Sequence, residues 1–310
     1  MSFRRVLRLA LLLILVGLGA TACGLYAPDA PRPELEARYA APPSQFIPVD
    51  GVRLHVRDTG PRDAPPVILL HGFASSLHTW EDWAGMLAAD HRVIRLDLPG
   101  FGLTGADPSG DYSDARTVEV ITALMDRLGV ARADVVGSSM GGRIAWTMAA
   151  TRPERVDRLV LMAPDGFAGP GRTYGTPQRV PFLLRLLPYT LPTPLLRASL
   201  EPAYADKAVL TEATLDRYRA MLLAPGVRQA ILDRSATAVL QEPEPILRRI
   251  RAPVLLLWGQ EDRMIPASHA ADYQRALPEA RLVVLPGLGH VPMEEDPARS
   301  LAPVRDFLAR

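Results

Sequence analysis

Three side chains of types that cooperate in nucleophilic catalysis occur along the chain in the order Ser139, Asp262, His290. A serine hydroxyl is a poor nucleophile at neutral pH, so it needs a base within hydrogen-bond reach. A histidine can act as that base, and a carboxylate can fix its tautomer and stabilise the imidazolium. Serine, aspartate and histidine are also common structural residues, so the local sequences around these three must show whether they are catalytic.

Ser139 is the central residue of Gly-Ser-Ser-Met-Gly, which starts at Gly137 and follows the pair Val135-Val136. Residues 143–150 favour a helix. A Gly-x-Ser-x-Gly sequence between a strand and a helix is typical of a nucleophile elbow, in which side chains at the two glycines would crowd a strained turn. The register predicts Ser139 as nucleophile. Its neighbour Ser138 and a plain glycine-rich turn are the alternatives.

Asp262 and His290 each follow a predicted strand, residues 254–258 and 281–285. The carboxyl ends of parallel strands are where sites form in open α/β sheets, so both side chains are expected at one edge with Ser139. Glu261 and Asp165 are alternative acids, Asp165 because it follows the predicted strand 156–162. The remaining histidines are expected to be structural or surface residues: His55, His71, His78, His91 and His269.

The elements needed to position these residues alternate between strand and helix over residues 67–163 and again over 254–308. This alternation predicts an α/β fold with a mostly parallel central sheet and helices on both faces. Asp50-Gly51 between two β-rich runs predicts a hairpin. Between residues 164 and 251 the alternation stops, and a helical cap is expected. Its apolar residues could form ordinary core or line an acyl-chain pocket.

Four segments in this order resemble the α/β-hydrolase family over roughly residues 46–310: His71-Gly72-Phe73, residues 137–141, Trp258 to Asp262, and Gly289-His290. The resemblance implies that Ser139 attacks a carbonyl carbon, that His290 is the base and that Asp262 orients it. It further implies that the backbone N–H groups of Phe73 and Met140 hold the oxyanion. His71 is expected to hold the loop of Phe73, and Asp97 to shape a loop near the pocket.

The resemblance leads to a carboxylic-ester hydrolase of the esterase or lipase type as the first functional hypothesis. The alternative is hydrolysis of a carbon–carbon bond in a vinylogous diketone, although that subgroup's usual Trp after the histidine is Val291 here. An acyltransferase, a perhydrolase or a non-catalytic binding protein would use the same scaffold. Haloalkane dehalogenases and epoxide hydrolases are excluded, because they need a carboxylate at position 139. No cofactor or metal is implied.

The first 23 residues resemble a bacterial lipoprotein signal. Three arginines precede the apolar run 9–20, and Cys23, the only cysteine, follows Ala-Thr-Ala; Ala20 departs from the more usual Leu. We expect lipidation at Cys23 and an exported, membrane-anchored protein of the cell envelope. An uncleaved apolar anchor and a plainly secreted enzyme are the alternatives. Without residues 1–22 the net charge changes from +1 to −2, so overall charge would not drive attachment.

The predicted segments are a signal peptide at 1–22, a tether at 23–45 without stable structure, core at 46–163, cap at 164–251 and core at 252–310. Lys+Arg 35 against Asp+Glu 34 leaves no basic surplus, so nucleic acid is not an expected partner. The expected partners are a small ester or acyl substrate and a membrane. The sequence does not predict the oligomeric state.

Overall fold

Eight strands form one sheet in the computed structural model, which describes residues 24–169, 173–176 and 180–309. The strands are β1 Ser44–Val49, β2 Val52–Thr59, β3 Pro66–Leu70, β4 Arg92–Leu96, β5 Ala133–Ser138, β6 Val156–Met162, β7 Val254–Gly259 and β8 Arg281–Leu285. Their spatial order is β1-β2-β4-β3-β5-β6-β7-β8. β2 is antiparallel to β1 and β4, and every other neighbouring pair is parallel. The predicted fold class is therefore confirmed.

The helices lie between the strands and over one end of the sheet. They are α1 Arg32–Tyr39, α2 Glu81–Leu87, α3 Asp114–Arg127, α4 Met140–Thr151, α5 Thr193–Leu200, α6 Glu212–Leu222, α7 Val227–Thr237, α8 Glu244–Leu247, α9 Ala270–Ala276, α10 Pro292–Glu295 and α11 Pro297–Leu308. The side chain of Ser113 caps α3 by accepting the N–H of Arg116.

Alternating residues of the central strands supply two hydrophobic cores, one on each face of the sheet. In β3, Ile68 and Leu70 belong to the first core, whereas Val67 and Leu69 belong to the second core on the other face. Successive side chains of a strand point to opposite faces, so a run of apolar residues is needed where both faces are covered. This is why the inner strands have continuous apolar sequences.

The Asp50-Gly51 pair closes the predicted hairpin between β1 and β2. Both residues have positive φ angles, 46° and 82°. Two left-handed residues are what a two-residue turn with the twist of the flanking strands requires, and Asp-Gly accepts them readily.

The segment 164–251 contains α5 to α8 and, among its described residues, no strand of the sheet. The side chain of Thr211 caps α6 by accepting the N–H of Thr214. Leu196, Leu215 and Met221 of this segment are buried in the first core.

The prediction that residues 23–45 lack stable structure is wrong where α1 and the start of β1 lie. Residues 32–39 form α1, and Leu35 is buried in the first core. Asp29 also pairs with Arg228 of α7 at 2.7 Å. The segment contains five prolines, which favoured the prediction of a tether without stable structure. Proline is nevertheless tolerated in the first turn of a helix.

Candidate active site

Ser139 occupies the sharp turn between β5 and α4, with φ 54° and ψ −120°. A non-glycine residue with positive φ is strained, and such strain persists only where the surroundings enforce it. Here the N–H of Ser139 donates to the carbonyl of Met162 at 2.9 Å, and its carbonyl accepts the N–H of Asp165 at 3.0 Å. The turn is thereby fixed to the end of β6, as expected of a nucleophile elbow.

The glycines of the pentapeptide are required by close backbone approaches. A Cβ on Gly137 would lie 2.2 Å from the carbonyl oxygen of Gly141. A Cβ on Gly141 would lie 2.3 Å from the carbonyl oxygen of Leu70 and 2.5 Å from that of His71. These approaches press the start of α4 against the end of β3. The pattern Gly-x-Ser-x-Gly therefore has a steric cause in this chain.

His290 and Asp262 are joined by a buried hydrogen bond of 2.7 Å between Nδ1 and Oδ2. The other carboxylate oxygen, Oδ1, accepts the N–H groups of Met264 and Ile265, both at 2.8 Å. Three donors thus fix one carboxylate, which in turn fixes the imidazole plane. With Nδ1 donating to the carboxylate, Nε2 is left as the nitrogen that can take up a proton.

The backbone around His290 is anchored by the cap. Its N–H donates to the carbonyl of Ala203 at 2.7 Å. The carboxylate of Glu295 accepts the N–H of Gly289 at 2.6 Å with one oxygen and the N–H of Ala205 at 2.7 Å with the other. Burial raises the pKa of Glu295, although these backbone donors oppose the rise. The histidine loop and cap residues 203–205 therefore form one hydrogen-bonded unit.

The loop after β3 lies directly against Ser139. A Cβ on Gly72 would be 3.2 Å from Cβ and 3.8 Å from Oγ of Ser139. Ala74 has a positive φ of 56°, and the ring of Phe73 packs edge-on against Phe101 with centroids 5.7 Å apart. The loop that carries the N–H of Phe73 is therefore next to the predicted nucleophile, and Met140 is the first residue of α4.

His71 holds this loop, as the sequence predicted. Its Nε2 accepts the N–H of Leu98 at 2.9 Å, so Nδ1 must carry the proton that it shares with the carbonyl of Gly72 at 2.8 Å. Burial lowers the pKa of His71, which keeps this neutral tautomer. His71 is thus a structural residue beside the site.

Asp97 shapes the neighbouring loop, also as predicted. Its carboxylate accepts the N–H groups of Leu77 and Leu103, both at 2.7 Å, and contacts Nδ1 of His55 at 2.8 Å. Burial is the largest single influence and disfavours the charge, but the neighbouring histidines, His55 foremost, together outweigh it and hold the pKa of Asp97 at about 2. His55 is fully buried and has a structural role. The carboxylate of Asp97 therefore holds the neighbouring loops in place.

The structure does not join the alternative residues to the histidine. Ser138 is the last residue of β5 and is buried, and Glu261 is exposed. Asp165 forms an ion pair with Arg143 at 2.6 Å. Asp262 is the carboxylate that contacts Nδ1 of His290.

Sequence reasoning missed a second carboxylate behind the histidine loop, Glu294. It accepts hydrogen bonds from Thr79 at 2.7 Å, Tyr204 at 2.5 Å and Arg217 at 2.6 Å. These hydrogen bonds link residues 46–163, the first part of the hydrolase domain, to the cap. Two adjacent glutamates shortly after the histidine were the available signal, but nothing in the sequence shows which donors face them.

The predicted lipidation site Cys23 and the signal segment lie outside the described residues. Across the part of the chain that the structure does describe, none of the helices combines the length and apolar character needed to cross a membrane.

Comparison with known proteins gives a consistent family. A model of the alpha/beta hydrolase fold family matches residues 65–297. The chain is 32% identical to the dihydrolipoyllysine-residue acetyltransferase component of the acetoin cleaving system of Pseudomonas putida, over 81% of this chain but only 65% of that protein. It is 29% identical to a 2-hydroxy-6-oxo-6-phenylhexa-2,4-dienoate hydrolase of Burkholderia cepacia, over 77% of this chain and 85% of the relative.

Among solved structures, the chain is similar to a bacterial membrane phospholipase A described as a virulence factor. The TM-score is 0.73 at 26% identity, and the match covers 99% of this chain and 98% of the other.

Proposed function

Because the chain belongs to the alpha/beta hydrolase fold family, we propose that it is a serine hydrolase with Ser139 as nucleophile, His290 as base and Asp262 as the acid that orients the base. The observation that carries the proposal is the 2.7 Å hydrogen bond between His290 and Asp262. It lies at the sheet edge where β5 delivers Ser139 in its strained turn.

In the proposed reaction, Oγ of Ser139 attacks a carbonyl carbon while its proton passes to Nε2 of His290. The oxyanion that forms accepts the N–H groups of Phe73 and Met140, and each such donor is worth roughly 3 kcal/mol. His290 then protonates the leaving group, and an acyl-enzyme remains. Water attacks the acyl carbon, returns its proton through His290 and releases the acid.

The curated relatives support carbon–carbon bond hydrolysis better than ester hydrolysis. Several are hydrolases of 2-hydroxy-6-oxo dienoates, whose names denote a ketone and a carboxylate. Such a substrate needs a cation in the site. Arg234 is a candidate, since it is buried, it lies over the ring of Phe101, and its Nε has no hydrogen-bond partner among the described residues. Val291, where this subgroup usually has Trp, counts against it.

Ester hydrolysis is the second candidate, and the whole-length similarity to a phospholipase A favours it. That match extends over the N-terminal region, whereas the similar carbon–carbon hydrolase structures cover 86% of this chain. Arg143 and Arg217 are already paired with carboxylates, so neither supplies a cation for an anionic group of the substrate. An acyltransferase or perhydrolase would share the acyl-enzyme and differ only in the acceptor.

The test combines a probe with two substrates. A fluorophosphonate should label the parent protein and not Ser139→Ala, whereas the control Ser138→Ala should still be labelled. Purified protein is then assayed on p-nitrophenyl esters and on a 2-hydroxy-6-oxo dienoate, and the larger kcat/KM identifies the bond that is cleaved. Products formed with added alcohol or peroxide identify transfer. Labelling of Ser139→Ala would refute the nucleophile.

We further propose that the protein lies in the bacterial cell envelope, attached to the membrane through lipid on Cys23. Support comes from the three arginines, the apolar run and the Ala-Thr-Ala sequence that precede this cysteine. The two alternatives would give different products. An uncleaved anchor would leave a membrane-bound protein that keeps residues 1–22, and secretion would leave a protein that is not attached to the membrane.

A further inference from the structure

Five large apolar side chains are exposed on one part of the cap and the segment beside it. We call them the apolar patch: Leu25, Tyr26, Phe182, Leu186 and Tyr189, each 40% to 73% exposed. Soluble surfaces rarely expose neighbouring large apolar residues without a binding role. None of these residues belongs to the candidate active site.

Hydrogen bonds hold the members of the apolar patch together. The N–H of Ala27 donates to the carbonyl of Tyr189 at 2.9 Å, and Oγ1 of Thr190 donates to the carbonyl of Leu25 at 2.6 Å. Residues 182–186 form a short helical turn, and the N–H of Tyr189 donates to the carbonyl of Leu186 at 2.9 Å. The chain after Cys23 and the start of the cap therefore form one surface.

One exposed arginine lies within the apolar patch. Arg185 is exposed between Phe182 and Leu186, and the sequence from 166 to 200 contains no acidic residue. The chain as a whole is nearly neutral, so this is a local asymmetry. Exposed tyrosine, apolar and arginine side chains together are the combination that suits the boundary between lipid headgroups and acyl chains.

We propose that the apolar patch inserts into the headgroup region of an anionic bilayer and fixes the orientation of the enzyme on the membrane. Leu25 is two residues from Cys23, so a lipid attached there would bring the patch to the bilayer surface. The proposal rests on the membrane attachment proposed above and not on which bond is cleaved. It goes beyond attachment because it assigns a second contact, made by the cap.

A lipid surface fits this patch better than a second protein chain. Residues 1–22 are either removed or themselves in the bilayer under the proposed attachment, so they do not cover it. A second copy would place Arg185 of both patches close together, and like charges facing each other oppose association. Anionic headgroups instead pair with Arg185 while the apolar side chains enter below them.

The four native tryptophans make a direct test possible, since Trp80, Trp83, Trp146 and Trp258 are all buried. Phe182→Trp, in the full-length protein reconstituted into phosphatidylglycerol and phosphatidylethanolamine vesicles, adds one indole at the patch. Vesicles with brominated acyl chains should reduce the added emission roughly twofold, because bromine quenches indoles that enter the boundary region. Tyr189→Trp is an independent second position.

Val284→Trp is the matched control, because Val284 is an exposed apolar residue on β8, in the part of the hydrolase domain formed by residues 252–310. Its added emission should be the same in both kinds of vesicle. Equal emission for Phe182→Trp and Tyr189→Trp in both vesicles, while the protein floats with them, would overturn the proposal and leave the attachment intact. Protein that does not float at all would instead refute the attachment, and the proposal with it. Fluorophosphonate labelling reports separately on Ser139.

Discussion

The backbone N–H of His290 donates to the carbonyl of Ala203 at 2.7 Å, so the predicted catalytic base is held by a residue of the cap. A Cβ on Gly289 would lie 2.6 Å from that same carbonyl oxygen, which explains the glycine before the histidine. The cap therefore helps to position the base as well as covering the sheet. Changes in the cap should alter catalysis even where they do not touch substrate.

Glu295→Gln should lower kcat by roughly tenfold, since a displaced catalytic group readily costs one to two orders of magnitude. One of the two backbone N–H groups, of Gly289 or Ala205, would face an amide that cannot accept its hydrogen bond. Steady-state kinetics measure the effect. Glu279→Gln, at an exposed site, is the control and should behave as the parent. An unchanged kcat in Glu295→Gln would contradict the positioning role.

Asp262→Asn should reduce kcat by about 10⁴-fold, the loss typical of a triad whose histidine is held in the wrong tautomer. The asparagine oxygen can still accept the N–H groups of Met264 and Ile265, so the loop should stay folded. Circular dichroism checks the fold, and kcat measures the chemistry. Glu261→Gln should be neutral. A larger loss in Asp165→Asn than in Asp262→Asn would identify a different acid.

Gly141→Ala should destabilise the fold by at least about 2 kcal/mol, as overpacking does in a rigid interior. The added methyl would meet two backbone carbonyl oxygens that cannot move aside without shifting β3. Gly85→Ala is the control, since a Cβ there meets nothing within 4 Å and alanine favours the helix α2. Urea unfolding measures both variants. Equal stability of the two would refute the steric explanation of the elbow.

Asp134 should make stability depend on pH between about 4 and 6. It is buried near the start of β5, and its Oδ1 lies 3.6 Å from Arg158, too far for a hydrogen bond. Burial raises its pKa to about 6, whereas an unfolded chain has an aspartate pKa of about 3.9. The folded protein therefore binds more protons in this window, and stability falls as pH rises through it.

Above pH 6, the ionised Asp134 destabilises the folded protein by at most about 3 kcal/mol, which corresponds to the difference of about two units between the folded and unfolded pKa values. Asp134→Asn removes this titration, so its stability relative to the parent should rise between pH 4 and pH 6.5. Urea unfolding across this range measures the difference, and the exposed Asp63→Asn is the control. A relative stability that does not change with pH would show that Asp134 ionises normally.

Cys23→Ser should release the protein from the membrane fraction, because an acyl chain supplies the attachment that the charge of the chain does not. Fractionation followed by immunoblotting measures the distribution, and incorporation of labelled palmitate checks lipidation of the parent. A variant that remains in the membrane fraction at its unprocessed mass would show that the apolar segment is an uncleaved anchor.

The alternation of strand and helix and the nucleophile elbow could be predicted from the sequence, because each depends on residues that are close together in the chain. Apolar runs such as Val254–Trp258 predict a strand covered on both faces, and Gly137 and Gly141 mark a tight turn. The family resemblance extended this to an ordered set of site residues. The mostly parallel sheet and the hydrogen bond from His290 to Asp262 agree with that reasoning.

Sequence by itself thus determined the fold class, the elbow and the identity of the candidate triad, because each depends on residues that are close in the chain or on a pattern repeated along it. Only the tertiary structure decided that Glu294 and Glu295 join the histidine loop to the cap, that α1 packs on the core, and that Leu25 and Tyr189 share one exposed surface. These contacts join residues far apart in sequence, and whether a carboxylate or an apolar side chain is paired, buried or exposed depends on what folding brings next to it.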